Sequence, residues 1–132
     1  MTRLISLTLE DYAACLGRLP DPWVNADELC AGGWAMYRGD DLLGCGGVLP
    51  YWPGVAEAWM CLGPDIKIDR DLLAGMHEIR RKLAESGYRR IQADTAPHHG
   101  RFMRLLGFKF ESEMPGYFPD GSTSHRYVRL KT

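Results

Sequence analysis

The segment from Asp69 to Ser86 constrains this chain more than any other. Leu72, Leu73, Met76, Ile79 and Leu83 fall at spacings of three and four, one stripe of a helix that must pack against something. Arg80, Arg81 and Lys82 sit near its C-terminal end, where cations suit the helix dipole, and Gly87 can close it in the left-handed conformation. Strand patterns flank it on both sides. Val55 to Leu62 is largely apolar, as befits a central strand. From Arg90 to Thr95, Ile91, Ala93 and Thr95 share one face while Arg90, Gln92 and Asp94 share the other.

The remaining elements follow from turn and cap signals. Residues 3–7 read as a first strand. Thr8-Leu9-Glu10-Asp11 opens a helix with Thr8 as its cap and Asp11 at the capping-box position, ending near Gly17. Asp21-Pro22-Trp23 is expected to start a second helix, with Asp as cap and Pro at the first helical position, ending at Gly32-Gly33. Trp34 to Arg38 and Leu42 to Leu49 make a hairpin around Gly39-Asp40-Asp41, and Pro50 to Gly54 is expected to be a loop. A short helix from His98 to Leu106 is closed by Gly107. Strands at Phe108–Met114 and His125–Leu130 flank a turn-rich stretch containing Pro119-Asp120-Gly121. The order β-α-α-β-β-β-α-β-α-β-β mixes hairpins with crossover helices, so the expected class is α/β with a mixed sheet. The 132 residues suit a single domain; two cores would each be marginal.

Composition narrows the function classes. Apolar residues at 45% and charged residues at 25% exclude a disordered chain. No apolar run approaches the ~20 residues that span a bilayer, and Glu10 and Asp11 interrupt any signal-peptide core, so a cytoplasmic location is expected. Residues 1–66 carry net charge −6 and residues 67–132 net +5. That polarity suits an anionic ligand on the second half or a solvated basic surface; a nucleic-acid partner calls for a more basic domain. Cys15, Cys30, Cys45 and Cys61 form no Cys-x-x-Cys pair, and with His77, His98, His99 and His125 show no zinc-ligand spacing. They read as reduced, mostly buried thiols, and no metal is expected. Gly44-x-Gly46-Gly47 runs within a strand and precedes no helix, so it marks a bulge or close strand packing and no dinucleotide site.

Several stretches together resemble one family. A helix finishing in Leu105-Leu106-Gly107-Phe108 runs into the strand Lys109-Phe110-Glu111. The hairpin carries Gly39-Asp40-Asp41 and then Leu43-Gly44-Cys45-Gly46-Gly47, and Gly87-Tyr88-Arg89-Arg90-Ile91-Gln92-Ala93 leads into a late strand. In this order they resemble the Gcn5-related N-acetyltransferases, the GNAT family, over almost the whole chain. Trp59, Tyr88 to Ile91, Leu105 to Phe108, Asp120-Gly121 and Tyr127 resemble a narrower group, the short GNAT-like proteins of bacteriophages.

The resemblance implies acetyl-CoA as acyl donor, held between two strands that splay apart, here those at 55–62 and 90–95. It implies that backbone groups of Met60, Cys61 and Leu62 meet the pantetheine arm. The diphosphate would meet the following turn and helix start, where Lys67, Ile68 and Arg70 lie, with His99 and Arg101 as further phosphate partners. The general base is expected at Glu57, a carboxylate that interrupts an apolar run; Asp94 is a lesser candidate. The family's thiolate-protonating Tyr falls at Met103; by the resemblance, Tyr117 on the following loop, or a water, is expected to substitute. The family's R/Q-x-x-G-x-G/A loop is not met by Gly63-Pro64-Asp65-Ile66-Lys67-Ile68: Pro64 has no N–H, and Asp65, Asp69 and Asp71 put carboxylates where a diphosphate belongs. The leading expectation is an N-acetyltransferase acting on a small-molecule or protein amine, in a family where dimers are common. The rival is a non-catalytic or virion-associated scaffold that has lost the coenzyme site, with Trp23 or Tyr51-Trp52 facing a phage or host protein.

Overall fold

The computed structural model describes residues 2–17, 20–63 and 67–131. Its strands are β1 (Thr2–Ser6), β2 (Gly33–Arg38), β3 (Asp41–Trp52), β4 (Val55–Leu62), β5 (Arg90–Thr95), β6 (Lys109–Met114) and β7 (Ser124–Leu130). Its helices are α1 (Leu9–Leu16), α2 (Ala26–Ala31), α3 (Arg70–Glu85) and α4 (Gly100–Leu105), the last preceded by a 3-10 turn at Pro97–His99. The strands follow one another as hydrogen-bonded neighbours in the order β1-β2-β3-β4-β5-β7-β6. β4 and β5 run parallel, whereas β1–β2, β2–β3, β5–β7 and β6–β7 are antiparallel, so the sheet is mixed. The chain falls into two compact units, Met1–Leu49 with Ala58–Gly75, and Pro50–Glu57 with Met76–Thr132.

In the first unit, Thr8 caps α1 by accepting the Asp11 N–H at 3.1 Å. The Tyr37 hydroxyl donates to the Asp11 carboxylate and ties this helix to β2. Leu7, Tyr12, Cys15, Ala35 and Cys45 form the buried core, with Trp59 and Cys61 packed on it and Tyr12 edge-on to the Trp59 ring. β3 approaches β4 unusually closely. A Cβ on Gly46 would stand 2.6 Å from the Trp59 carbonyl oxygen, and one on Gly44 would stand 2.9 Å from that of Cys61. These glycines therefore serve strand packing. The Cys15 Sγ donates to the Cys61 carbonyl at 3.3 Å. Hydrogen bonds from the Cys15 and Cys61 thiols, and then burial, hold Cys45 protonated far above the ordinary thiol range, so this is packing rather than a nucleophile.

Two expected boundaries need correction. The second helix starts not at Asp21 but at Ala26, with Asn25 as cap accepting the Glu28 N–H at 3.1 Å. Asp21 instead closes a turn by accepting the Val24 N–H. Asn25-x-x-Glu28 is the better capping box, and Asp21-Pro22 is a turn signal as well as a helix signal. The expected loop at 50–54 shrinks to a two-residue turn, because β3 continues through Trp52. Pro50 is tolerated there because β2 pairs only as far as Gly33↔Gly47, so no β2 partner asks for its missing N–H.

In the second unit, Ile91 and Ala93 of β5 and Tyr127 and Val128 of β7 are buried, as are Met103, Leu106 and Phe108. Gly107 ends the α4 segment in the left-handed region at φ 92°, with the Phe108 N–H returning to the Met103 carbonyl. Of the stripe on α3, Leu72 is buried in the first unit, and Met76 and Leu83 are buried in the second.

Candidate active site

The expected base sits at the start of β4, where it faces back across the turn at Pro53-Gly54. Tyr51, near the end of β3, donates its hydroxyl to Glu57 Oε2 at 2.7 Å. Among the described residues no arginine pairs with Glu57. Burial, then the bond to Glu57 and the charges of Glu57 and Asp94, push the Tyr51 hydroxyl well above the usual phenol range. It stays protonated and keeps donating.

The polar face of β5 carries the rest of the constellation. Gln92 lies opposite Glu57 in the β4–β5 register, and its Oε1 accepts from Arg90 Nε at 3.1 Å. Arg90 reaches onward to Glu111 of β6 at 2.9 Å. Asp94 lies opposite Arg126 in the β5–β7 register, so the two side chains share a face. Arg126 grips Asp94 bidentately, Nε to Oδ1 at 2.8 Å and Nη2 to Oδ2 at 3.0 Å, and the Asp94 side chain is only 7% exposed. The Tyr117 hydroxyl adds a third donor to Asp94, at 3.0 Å. Both oxygens of Asp94 are thus engaged, which suits a structural anchor and leaves Glu57 as the accessible carboxylate. Burial, then Asp94, and more weakly the charge of Glu57, raise Tyr117 above its ordinary range. Tyr51, Glu57, Gln92, Asp94, Tyr117 and Arg126 therefore share one electrostatic neighbourhood within the second unit.

The paired register of β4 with β5 covers three positions: Val55↔Arg90, Ala56↔Ile91 and Glu57↔Gln92. Both strands continue past it, β4 to Leu62 and β5 to Thr95. Along this stretch the backbone groups of β4 alternate in direction. The Gly63 N–H donates to the Leu43 carbonyl of β3 at 2.8 Å, and the Trp59 and Cys61 carbonyls also face β3. Strand geometry then turns the N–H and C=O groups of Met60 and Leu62 to the opposite edge. Cys61 differs from its two neighbours: its carbonyl faces β3 and takes the Cys15 thiol.

At the start of α3, Asp69 accepts the Leu72 N–H at 2.9 Å and pairs with Arg38 of β2. The Leu72 N–H and then Arg38 hold its carboxyl below the usual range. An anionic side chain thus already uses the first-turn amides of this helix. Lys67, Ile68 and Arg70 are exposed beside it, whereas Pro64, Asp65 and Ile66 lie outside the described residues. In the second unit, His99 is half-buried with Nδ1 2.9 Å from Thr95 Oγ1, and burial and then His98 lower its pKa, so it is neutral at pH 7. Arg101 is exposed on α4. Met103 is buried. Among the described residues, no group of three or more His, Cys, Asp or Glu side chains could hold a metal ion, and no helix is long and apolar enough to cross a membrane.

Two members of this site, Gln92 and Arg126, were not singled out by the sequence, and Tyr51 was placed on a different element. Tyr51 was expected in a loop, and the roles of Gln92 and Arg126 need strand register, although the shared face of Arg90, Gln92 and Asp94 was visible as alternation.

No family model and no curated relative matches the sequence. Solved structures do match. One is a Bacillus subtilis acetyltransferase in complex with CoA, 17% identical, with a TM-score of 0.72 over 99% of this chain and 98% of that one. Another is a GNAT family acetyltransferase from Elizabethkingia anophelis with acetyl-CoA bound, 11% identical, with a TM-score of 0.73 over 98% of each chain. A third is the ribosomal-protein-S18-alanine N-acetyltransferase from Escherichia coli, 14% identical, with a TM-score of 0.71 over 98% of this chain and 94% of that one. This chain has the fold of the GNAT acetyltransferases. At these identities the likeness is one of fold, and the chemistry must be argued from the side chains.

Proposed function

We propose that this protein is an N-acyltransferase that moves an acetyl group from acetyl-CoA to an amine, small-molecule or protein, with Glu57 as general base. The observation that carries the reading is the end of the β4–β5 register at Glu57↔Gln92, with a tyrosine-held carboxylate standing at that point. Beyond it, Met60 and Leu62 offer backbone N–H and C=O groups to an extended, amide-bearing arm such as pantetheine. The amine nitrogen attacks the thioester carbonyl: a C–N bond forms, the C–S bond breaks, and the electron pair leaves on sulfur. The proton lost by nitrogen passes to Glu57, which Tyr51 holds in place. Tyr117, kept protonated by burial and Asp94, is the candidate acid: its O–H would turn from Asp94 to protonate sulfur, and the proton would be restored from solvent.

The phosphate end fits less well. Asp69 fills the helix start, so Lys67 and Arg70 would meet the diphosphate with their side chains instead of the first-turn amides. Affinity for the coenzyme is therefore expected to be modest. Calorimetric titration with acetyl-CoA, followed by turnover on a panel of alkylamines and peptide amines, tests the reading. Glu57→Gln should bind acetyl-CoA like the parent and lose about a hundredfold or more in kcat. Absence of any coenzyme-dependent heat or thermal shift refutes the enzyme and leaves a scaffold.

A further inference from the structure

Among the described residues, two guanidinium groups in the second unit converge without a counter-charge. A Cβ on Gly107 would lie 2.5 Å from Arg129 Nη1 and 3.2 Å from Arg80 Nε, so both arginines stand against this one glycine. Arginines near a helix C-terminus ordinarily serve its free carbonyls. Here that explanation covers little: Arg80 Nη1 makes one long contact, 3.4 Å, to the Leu105 carbonyl. The Gly107 and Phe108 N–H groups already close the turn onto the Arg104 and Met103 carbonyls. Among the described residues neither arginine has a carboxylate partner, in contrast to Arg38, Arg81, Arg90 and Arg126, each of which is paired.

Two like charges held at one point, with most of their N–H donors unused, make a receptor for an oxyanion; forked guanidinium groups match phosphate in particular. We propose that Arg80 and Arg129 form a binding site for the dianionic phosphate group of a small metabolite, the missing side chain at Gly107 letting both guanidinium groups draw together. The site is separate from the candidate active site. Arg129 is three residues from Arg126 along β7, so its side chain lies on the opposite face of that strand. The excess of positive charge in residues 67–132 is consistent with an anion on this half of the chain.

The test is a titration of the intact protein with inorganic phosphate against chloride at matched ionic strength, read from the backbone amide of Gly107 and the Nε–H signals of Arg80 and Arg129 by nuclear magnetic resonance. The expected result is saturable shifts at these three groups, weakened about tenfold or more in Arg129→Gln and in Arg80→Gln. Arg129→Lys keeps the charge, guards against a folding defect, and should bind at intermediate strength. Shifts that follow ionic strength alone, or that persist in the double Gln variant, overturn the inference. Displacement of phosphate by CoA also overturns it, by assigning the arginines to the coenzyme.

Discussion

Replacing Arg126 by Met isolates the strongest electrostatic dependence in the second unit. Asp94 is 93% buried at its side chain, the complement of its 7% exposure, and three donors hold its two oxygens. Without Arg126, only the neutral Tyr117 hydroxyl remains. Leaving a buried carboxylate without its cation typically costs about 3–5 kcal/mol, a large part of the stability of a chain this size. The reverse change, Asp94→Asn, should cost less, about 1–3 kcal/mol, because Arg126 is 27% exposed and can turn to water. Asp94→Leu combined with Arg126→Met removes both charges and should recover much of the loss, giving strong non-additivity in the cycle. Urea unfolding followed by tryptophan fluorescence, with an unchanged m-value, measures all these variants. A loss below about 1 kcal/mol for Arg126→Met, or simple additivity, would refute the claim that Asp94 depends on this partner.

Three further outcomes are expected. Asp69→Asn keeps a side-chain acceptor for the Leu72 N–H but removes a charge and releases Arg38; acetyl-CoA should bind about threefold tighter or better by calorimetry, and weaker binding would place the phosphates elsewhere. The Trp59 Nε1–H is buried with no partner among the described residues, so 3-benzothienylalanine at this position, similar in shape but lacking the N–H, should stabilise the protein by about 1 kcal/mol in urea. Destabilisation would mean that the N–H has a partner. Tyr51 and Tyr117 are both raised above the ordinary tyrosine value, so their contribution is fully present below about pH 10 and is lost as pH climbs from there through the folded values. Stability measured against pH should fall on the alkaline side, less steeply in Tyr51→Phe; a flat profile there would contradict the burial of these hydroxyls.

Local stereochemistry made much of this protein legible in its residues. The 55–62 and 90–95 strands and the 70–85 helix declare themselves because side-chain direction repeats with a period set inside each element. Thr8 and Gly17 end α1 where their chemistry says they should, and Glu57 stands out as a charge in an apolar run. Where two local signals competed, at Asp21-Pro22 against Asn25-x-x-Glu28 and at Pro50 in β3, only the assembled fold chose between them.

What tertiary structure alone decided is which side chains meet. Arg126 finds Asp94 across 32 residues, and Tyr117 finds it across 23. Tyr51 reaches Glu57 because β3 runs on past Pro50, and Arg80 and Arg129 come together over Gly107 only once α3, α4 and β7 are packed. Each of these meetings depends on strand register and helix placement, and a shift of one residue along a strand would turn every such partner to the other face. Periodicity is a property of neighbours in the chain; register is settled by all the packing at once, and the chemistry of this protein lies in register.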